Sequence, residues 1–339
     1  MKPKKKDLNQ IVYQEKPPLQ NIDIEKLRPN KSYDFLIKNR NGDLQKTLDQ
    51  PEILSKFLVN RDCPLCRSKD YSLEIKKDGL NIVKCKNCEL IYVNPVFDES
   101  LYRKIYKSKS YQDIGKQLSI KSHEYRVQRF GEERAEFINS NHEASLSKTY
   151  LDIGCSTGFT LESLSKRGWN CKGLELNPAT AEFARERGLD VQEKDFLDLS
   201  DKQNFSAISL FDVLEHLYNP TKVLEKAYKV LNKGGCLYIY VPNWNSATKD
   251  LLGEARSHFV WPTHHLTYYT PSTLIKHIEK IGFSILHWET QGLDLFDWVW
   301  ADKERLGSST EYLTSKLDLI QSYINASGHG KNLRLFARK

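Results

Sequence analysis

The sequence predicts an α/β fold, in which a doubly wound and mainly parallel sheet follows a small cysteine-held module. Three observations carry this prediction. A strand, a glycine-rich turn and a helix succeed one another across residues 150–165, strands and helices go on alternating from there to residue 337, and two Cys-x-x-Cys pairs stand at 63–66 and 85–88.

Residues 150–153 are a short apolar run interrupted by Asp152, the turn Gly154-Cys155-Ser156-Thr157-Gly158 follows, and Leu161 and Leu164 open a helical pattern. Glycine at 154 and 158 admits backbone dihedrals closed to other residues and keeps side chains away from a ligand. The second strand, 170–175, ends in Glu175, an acid that can accept two hydrogen bonds from vicinal ribose hydroxyls. Asn177 then caps a helix that begins at Pro178. These parts make a nucleotide-binding corner. A dinucleotide enzyme would need the spacing G-x-G-x-x-G, which this turn lacks.

Residues 188–192 read as a third strand with Asp195-Phe196 after it, and 206–210 as a fourth that runs into Phe211-Asp212-Val213-Leu214-Glu215-His216-Leu217. Asn219-Pro220 starts a helix, Gly234-Gly235 ends it, and 236–241 form a fifth strand. Thr270-Pro271-Ser272 caps a helix with Leu274, Ile275, Ile278 and Ile281 at helical spacing, and Gly282 stops it. Residues 283–288 and 332–337 alternate as a sixth and a last strand. In such sheets ligands bind outside the strand carboxyl ends, where Asp152, Gly154, Gly158, Glu175, Asp195 and Asp212 lie.

The turn resembles the E/D-x-G-x-G-x-G motif of the class I S-adenosylmethionine-dependent methyltransferases, with Ser156 in place of the middle glycine. The segment 211–217 resembles the DVLEHL stretch of their ubiquinone-type, small-molecule branch. The resemblance covers residues 125–339 and implies a Rossmann-like, mostly parallel seven-stranded sheet whose last strand lies antiparallel beside the sixth. It also implies an S-adenosylmethionine site made by Asp152, Gly154, Cys155, Ser156, Gly158, Glu175, Leu176, Asp195, Phe196, Asp212 and Val213. In that family the acid at Asp195 bonds the adenine amino group and the ring at Phe196 walls it.

Cys63, Cys66, Cys85 and Cys88 form two pairs separated by eighteen residues, the spacing of a four-cysteine zinc site. Between them, 71–75 and 81–84 flank Asp78-Gly79, a hairpin signal, so the module reads as a zinc ribbon. A disulfide pair is the rival reading, but no secretory apolar stretch follows the basic residues 2–6, which points to a reducing, cytoplasmic compartment. Four thiolates leave no open position on the metal, so the zinc is expected to be structural. Cys155, Cys171 and Cys236 read as small buried apolar residues.

A ribbon, a helical segment at 101–106 and then the methyltransferase core resembles bacterial enzymes of polysaccharide, deoxysugar and natural-product pathways. It is similar in plan to the sugar C-methyltransferases, whose zinc-bearing N-terminal domain helps form the substrate site. The run His264-His265-Leu266-Thr267-Tyr268-Tyr269-Thr270 echoes their histidine segment, although an acid precedes the histidine there and Thr263-His264 precede His265 here.

The expected organisation is an N-terminal extension at 1–60, a ribbon at 61–95, a helical linker at 96–124 and a methyltransferase domain at 125–339 with insertions at 243–270 and 290–330. A short helix at 51–59, a flap at 291–300 and a polar helix at 309–323 are further expectations. Methyl transfer is an in-line displacement, which needs an aligned acceptor and, for a hydroxyl or carbon acid, a base. His216, His264 and His265 are the candidate bases, with His258 weaker, and Phe259, Trp261, Tyr268 and Tyr269 are expected around the acceptor.

The expected acceptor is a small molecule such as a sugar, nucleotide-sugar or natural-product intermediate, and no segment is apolar enough to span a membrane. The net charge of +7 owes four units to Lys2, Lys4, Lys5 and Lys6, a solvated tail rather than a nucleic-acid arm. An RNA methyltransferase using the ribbon as a clamp is the alternative. Against it, Phe211-Asp212-Val213-Leu214 lacks the Asn-Pro-Pro-aromatic motif for exocyclic amines, and no Pro-Cys or Thr-Cys pair offers a nucleophile. A non-catalytic cofactor-binding scaffold is the third possibility.

Overall fold

The computed structural model describes residues 22–29, 32–39, 41–42, 55–302 and 316–339. The ribbon opens with β1 (Leu58–Val59), followed by β2 (Tyr71–Lys77), β3 (Leu80–Cys85), β4 (Ile91–Val93) and β5 (Val96–Phe97). β2 and β3 form the expected hairpin, in which Asp78 and Gly79 take the left-handed turn conformation at φ 49° and 74°.

Seven strands build the large sheet: β6 (Thr149–Ile153), β7 (Asn170–Leu174), β8 (Val191–Gln192), β9 (Phe205–Phe211), β10 (Leu231–Pro242) and, after β11 (Thr267–Tyr268), β12 (Ser284–Gln291) and β13 (Asn332–Arg338). Their order is β12-β13-β10-β9-β6-β7-β8. β13 runs antiparallel to both neighbours and the pairs β6–β7, β6–β9, β7–β8 and β9–β10 are parallel, as the resemblance implied. β9 is buried along its first six residues, so its sequence shows no polar-out alternation, and its buried Ser206 and Ser209 hydroxyls donate to Ser147 O and Asp152 Oδ1.

Local chemistry sets the helices. Asn177 caps Pro178–Glu186 by accepting from Ala179 N–H, and Asn219 caps Pro220–Val230 by accepting from Lys222 N–H. Thr270 and Thr273 make a reciprocal capping box at the start of Pro271–Ile281, and Gly282 ends that helix at φ 116°.

Several expectations need correction. Leu58–Val59, placed in a helix, is a strand paired with Val96–Phe97, and 51–54 lie outside the described residues. β8 keeps only two of the five residues expected, because Gly188 turns the chain at φ 80°. β10 begins at Leu231, with an irregular register before Cys236. The flap at 291–300 is instead the end of β12 and a helix, Asp294–Ala301. The polar helix lies at Leu317–Ala326, and 303–315 fall outside the described residues together with the basic residues 2–6.

One pairing was not visible in the sequence. β11, from the 243–270 insertion, adds to the ribbon sheet, giving the order β11-β4-β3-β2. Ribbon residues Cys63, Leu65, Val83 and Tyr92 share one core with Ile208, Leu210 and Ile239 of the large sheet. Ile82, Val93 and Phe97 share another with Trp244, Phe259 and Leu266 of the insertion. The first cysteine knuckle is also pinned by hydrogen bonds, since Thr221 Oγ1 donates to Pro64 O at 2.6 Å and Lys280 Nζ donates to Leu65 O at 2.5 Å. The ribbon is therefore packed into the core of the large sheet rather than tethered to it.

Candidate active site and cysteine centre

A cavity of about 870 Å³ opens at the carboxyl ends of β6, β7, β9 and β10. It is lined by Asp152, Gly154, Cys155, Ser156, Glu175, Leu176, Asp195, Phe196, Asp212, Val213, His216, His264 and His265. Of the site residues read from the sequence outside the ribbon, Gly158 is the exception. Its left-handed backbone starts the helix Phe159–Ser165, and its missing Cβ leaves room for Leu189, whose Cδ1 would stand 2.5 Å from it.

The glycine turn is held against the end of β7, where the N–H groups of Gly154 and Cys155 both donate to Leu174 O, at 2.7 and 3.0 Å. A Cβ on Gly154 would meet Val213 Cγ2 at 2.4 Å, so this position tolerates no side chain. Ser156 adopts φ 51°, the conformation that the family's glycine takes without strain, and its N–H donates to Glu175 Oε2 at 2.7 Å. Asn177 N–H donates to Glu175 Oε1 at 2.7 Å. Each carboxylate oxygen thus keeps a lone pair for a ligand in the cavity. Burial raises the Glu175 carboxyl above its ordinary range, while the N–H groups of Asn177, Ser156 and Leu176 oppose that rise.

Asp195 turns Oδ1 to Leu197 N–H at 2.8 Å, while Oδ2 lies 3.9 Å from Arg103 Nη2, beyond hydrogen-bond distance, and can still take a donor; Phe196 forms a buried ring wall beside it. Asp152 is buried, accepts from Ser209 Oγ, and is pushed up to about 6 by desolvation. Cys155 directs its sulfur away from the cavity toward Gly173, where a Cβ would come within 2.6 Å of it.

Sequence reasoning missed two arginines. Arg126 and Arg134 line the cavity, and among the described residues neither forms an ion pair; the Arg126 Nε donates to Ser122 Oγ at 2.7 Å. Arg134 lies 4.0 Å over the Phe211 ring and near Phe159 and Tyr240. Desolvation lowers Arg126 to about 10, with Asp212 opposing and Arg134 and Arg28 reinforcing. Only their position on the chain entering β6 could have flagged them. The N-terminal segment was likewise opaque in the sequence, yet Leu27, Arg28 and Leu36 line the cavity, and Arg28 Nη2 reaches the buried Asp297 at 2.6 Å. Tyr106 and Tyr111, from the helical linker, complete the wall.

His216, His264 and His265 line the same cavity as Glu175. His216 Nδ1 lies 3.0 Å from His264 O, and His265 Nδ1 lies 2.7 Å from Phe259 O. A carbonyl only accepts, so both Nδ1 atoms carry protons and both Nε2 atoms are bare. The two rings meet edge-on at 4.7 Å, and His216 Nε2 is 3.7 Å from Glu215 Oε1. Burial lowers His216 to about 4 and drives His265 well down, so both imidazoles are neutral at pH 7. Glu215 is buried with Oε2 unpartnered, and desolvation together with the Asp212 charge pushes its carboxyl well up.

His264 faces the same cavity but stacks on Trp261 at 4.0 Å and engages Thr263 Oγ1 at 3.0 Å. His258 also lines the cavity, beside Asp297 at 3.5 Å. Phe259 and Trp261 line the cavity as expected, whereas Tyr268 and Tyr269 do not. Tyr268 packs on Trp244, and the Tyr269 hydroxyl donates to the buried His277, whose Nε2–H reaches Thr221 Oγ1.

The sulfurs of Cys63, Cys66, Cys85 and Cys88 lie within 4.8 Å of one another, with Cys63–Cys88 and Cys66–Cys85 each at 3.5 Å. Thiolates 2.3 Å from a tetrahedral zinc stand about 3.8 Å apart, so the cluster has the dimensions of such a site. Leu65 and Cys66 N–H groups point at the Cys63 sulfur, and Asn87 and Cys88 N–H groups at that of Cys85, which favours thiolates. All seven cysteines are free of disulfides. Among the described residues no helix is long and apolar enough to cross a membrane.

Residues 123–288 match a family described as a methyltransferase domain. The ubiquinone biosynthesis O-methyltransferase of Hydrogenovibrio crunogenus is 29% identical over 33% of this chain, and the match spans about half, 49%, of that relative's length. The enzyme of the same description from Xanthomonas axonopodis pv. citri is 26% identical over 52% of this chain and 78% of its own. Among solved structures, a SAM dependent methyltransferase from Archaeoglobus fulgidus superposes with a TM-score of 0.45 and 18% identity over 64% of this chain and 97% of that one. With the sheet order, the glycine turn and Glu175 in place, residues 123–288 form a class I S-adenosylmethionine-dependent methyltransferase domain.

Proposed function

We propose that this chain methylates a hydroxyl of a small-molecule acceptor, a sugar, nucleotide-sugar or natural-product intermediate, with His265 or His216 as the base. The observation that carries this reading is the pair of neutral imidazoles with bare Nε2 atoms lining the same cavity as Glu175. The ubiquinone biosynthesis relatives are described as O-methyltransferases, which favours oxygen as the accepting atom.

The residues fit S-adenosylmethionine. Glu175 offers two acceptor lone pairs to the ribose diol, Asp195 Oδ2 one to the adenine amino group, and Arg126 and Arg134 present donors to the methionine carboxylate. The bound cofactor supplies an electrophilic methyl group on a sulfonium. The protein excludes water through Phe259, Trp261 and the N-terminal residues, and holds the acceptor in line. His265 or His216 Nε2 takes the hydroxyl proton as the oxygen attacks the methyl group.

Replacing either histidine by alanine is expected to lower turnover about 10²- to 10⁴-fold with cofactor affinity unchanged. Radiolabelled methyl transfer to a panel of catechols and nucleoside diphosphate sugars, beside calorimetry with S-adenosylhomocysteine, measures both. Turnover that persists in both variants would sink the base assignment. Because a base lowered to about 4 stays unprotonated, the rate is expected to hold down through pH 6 rather than fall around the ordinary imidazole value of about 6.5. A rate that halves near pH 6.5 would count against His216.

The cysteine cluster is assigned a structural zinc. One zinc per chain by elemental analysis is expected, and a folded preparation without it would refute the assignment.

A further inference from the structure

We infer that Arg61 is a positioning residue for the histidine wall, fastening ribbon, insertion and catalytic loop at a single point. This rests on the reading of His216 and His265 as the acceptor-side base pair. One guanidinium donates to three backbone carbonyls from three separate segments: Nε to Val93 O at 3.1 Å, Nη1 to Tyr218 O at 3.1 Å and Nη2 to Leu266 O at 2.5 Å. Val93 closes β4 of the ribbon, Tyr218 follows the Glu215-His216 loop, and Leu266 is the residue after His265.

Leu266 makes the connection continuous. Its N–H donates to Glu215 O at 2.7 Å, and its carbonyl also accepts Val93 N–H at 3.0 Å. The chain at 265–266 is therefore gripped from one side by the ribbon and from the other by the loop that carries Glu215 and His216. Arg61 is itself held: its N–H donates to Asn94 Oδ1 at 2.9 Å, and its guanidinium lies 5.5 Å from the Tyr92 ring centroid. Asn94 is buried, so this anchor does not move with solvent.

Only arginine serves here. Its planar fork presents donors in three directions at once, whereas a lysine ammonium on a flexible stem cannot span three carbonyls set by three segments. Losing the fork takes this donor from the Val93 and Tyr218 carbonyls and leaves Leu266 O with Val93 N–H alone. The contact that then loosens is the one between the His265 and His216 rings, because each ring is oriented by a backbone carbonyl of the 259–264 segment adjoining Leu266. Orientation of a catalytic group through its supporting shell is a common requirement of a working site.

The test uses the full-length, zinc-loaded chain with Arg61→Lys and Arg61→Ala, Lys being the variant that keeps charge and bulk if Ala fails to fold. The readout is the imidazole ¹⁵N spectrum at pH 7.5, with His216 and His265 signals assigned by their disappearance in His216→Gln and His265→Gln. In the unaltered chain each should show one protonated and one bare nitrogen, the Nδ1–H form. In Arg61→Lys that separation should collapse toward an averaged pair of signals, while S-adenosylhomocysteine affinity and zinc content stay within twofold. Unchanged histidine signals in a folded variant would overturn the inference, as would a loss of cofactor affinity equal to the change at the histidines. Collapse of the signals in a chain whose turnover does not depend on either histidine would leave Arg61 as their anchor and remove the base assignment alone.

Discussion

Removing the zinc proposed for the ribbon, or replacing Cys85 by serine, should strongly destabilise this chain. Zinc contributes on the order of 10 kcal/mol to a four-thiolate module of this kind, comparable with the whole stability of a domain. Cys63 and Cys85 have no exposed surface and sit in one core with Ile208, Leu210 and Ile239 of the central strands. Unfolding the knuckles would expose that face of the large sheet. It would also release β4 and with it β11, the strand that follows His265. Treatment with a strong chelator should therefore lower Tm by well over 10 °C and remove hydrogen-exchange protection from 80–93 and 266–269 together. Protection lost in the ribbon but kept at 266–269 would show that the insertion stands without it. A zinc-free chain with unchanged Tm would show that the cluster is held by packing alone.

What the sequence revealed follows from the range of the forces involved. The helix Pro271–Ile281 was legible because its capping box, its apolar spacing and its terminal Gly282 all lie within twelve residues. Glu175 was legible because the strand that carries it is local, and the parallel direction of β6, β7, β9 and β10 follows from the alternation of strand and helix, though their order in the sheet does not. β11 was not, since a two-residue strand has no periodicity and its partner, β4, lies about 175 residues earlier in the chain. The same holds for Arg61, Arg126 and Arg134, whose importance comes from where their donors converge rather than from any neighbour in sequence. His216 and His265 could each be suspected alone, but only the fold brings their rings to 4.7 Å. Tyr268 and Tyr269 were misjudged as pocket residues for the complementary reason. Pairing with β4 turns Tyr268 into the core shared with Trp244, and His277 holds the Tyr269 hydroxyl on the far side.

Glu175→Ala should all but abolish cofactor binding. Its two oxygens each hold one backbone N–H, from Ser156 and from Asn177, and so face the cavity in a fixed orientation before any ligand arrives. Hydrogen bonds to an ionised acceptor are worth about 1.5–3 kcal/mol each, so losing two ribose contacts removes about 3–6 kcal/mol, or about 10²- to 10⁴-fold in Kd. The alanine variant also leaves the Ser156 and Asn177 N–H groups without their acceptor, which should lower the Tm of the unliganded protein by a few degrees. Thermal shift with and without S-adenosylmethionine separates the two effects, because the first removes the ligand-dependent rise and the second moves the baseline. The pH dependence has a definite sign. Burial holds the Glu175 carboxyl above its ordinary range, and only the ionised form accepts both ribose hydroxyls, so affinity should be full at neutral pH and decline as pH falls through that raised value. Asp195→Ala removes a single acceptor lone pair at the adenine end and should cost about 1–2 kcal/mol, which makes it the internal comparison. Equal losses in the two variants would mean that Glu175 does not carry the ribose, and a Kd within threefold of the original in Glu175→Ala would place the cofactor elsewhere in the cavity.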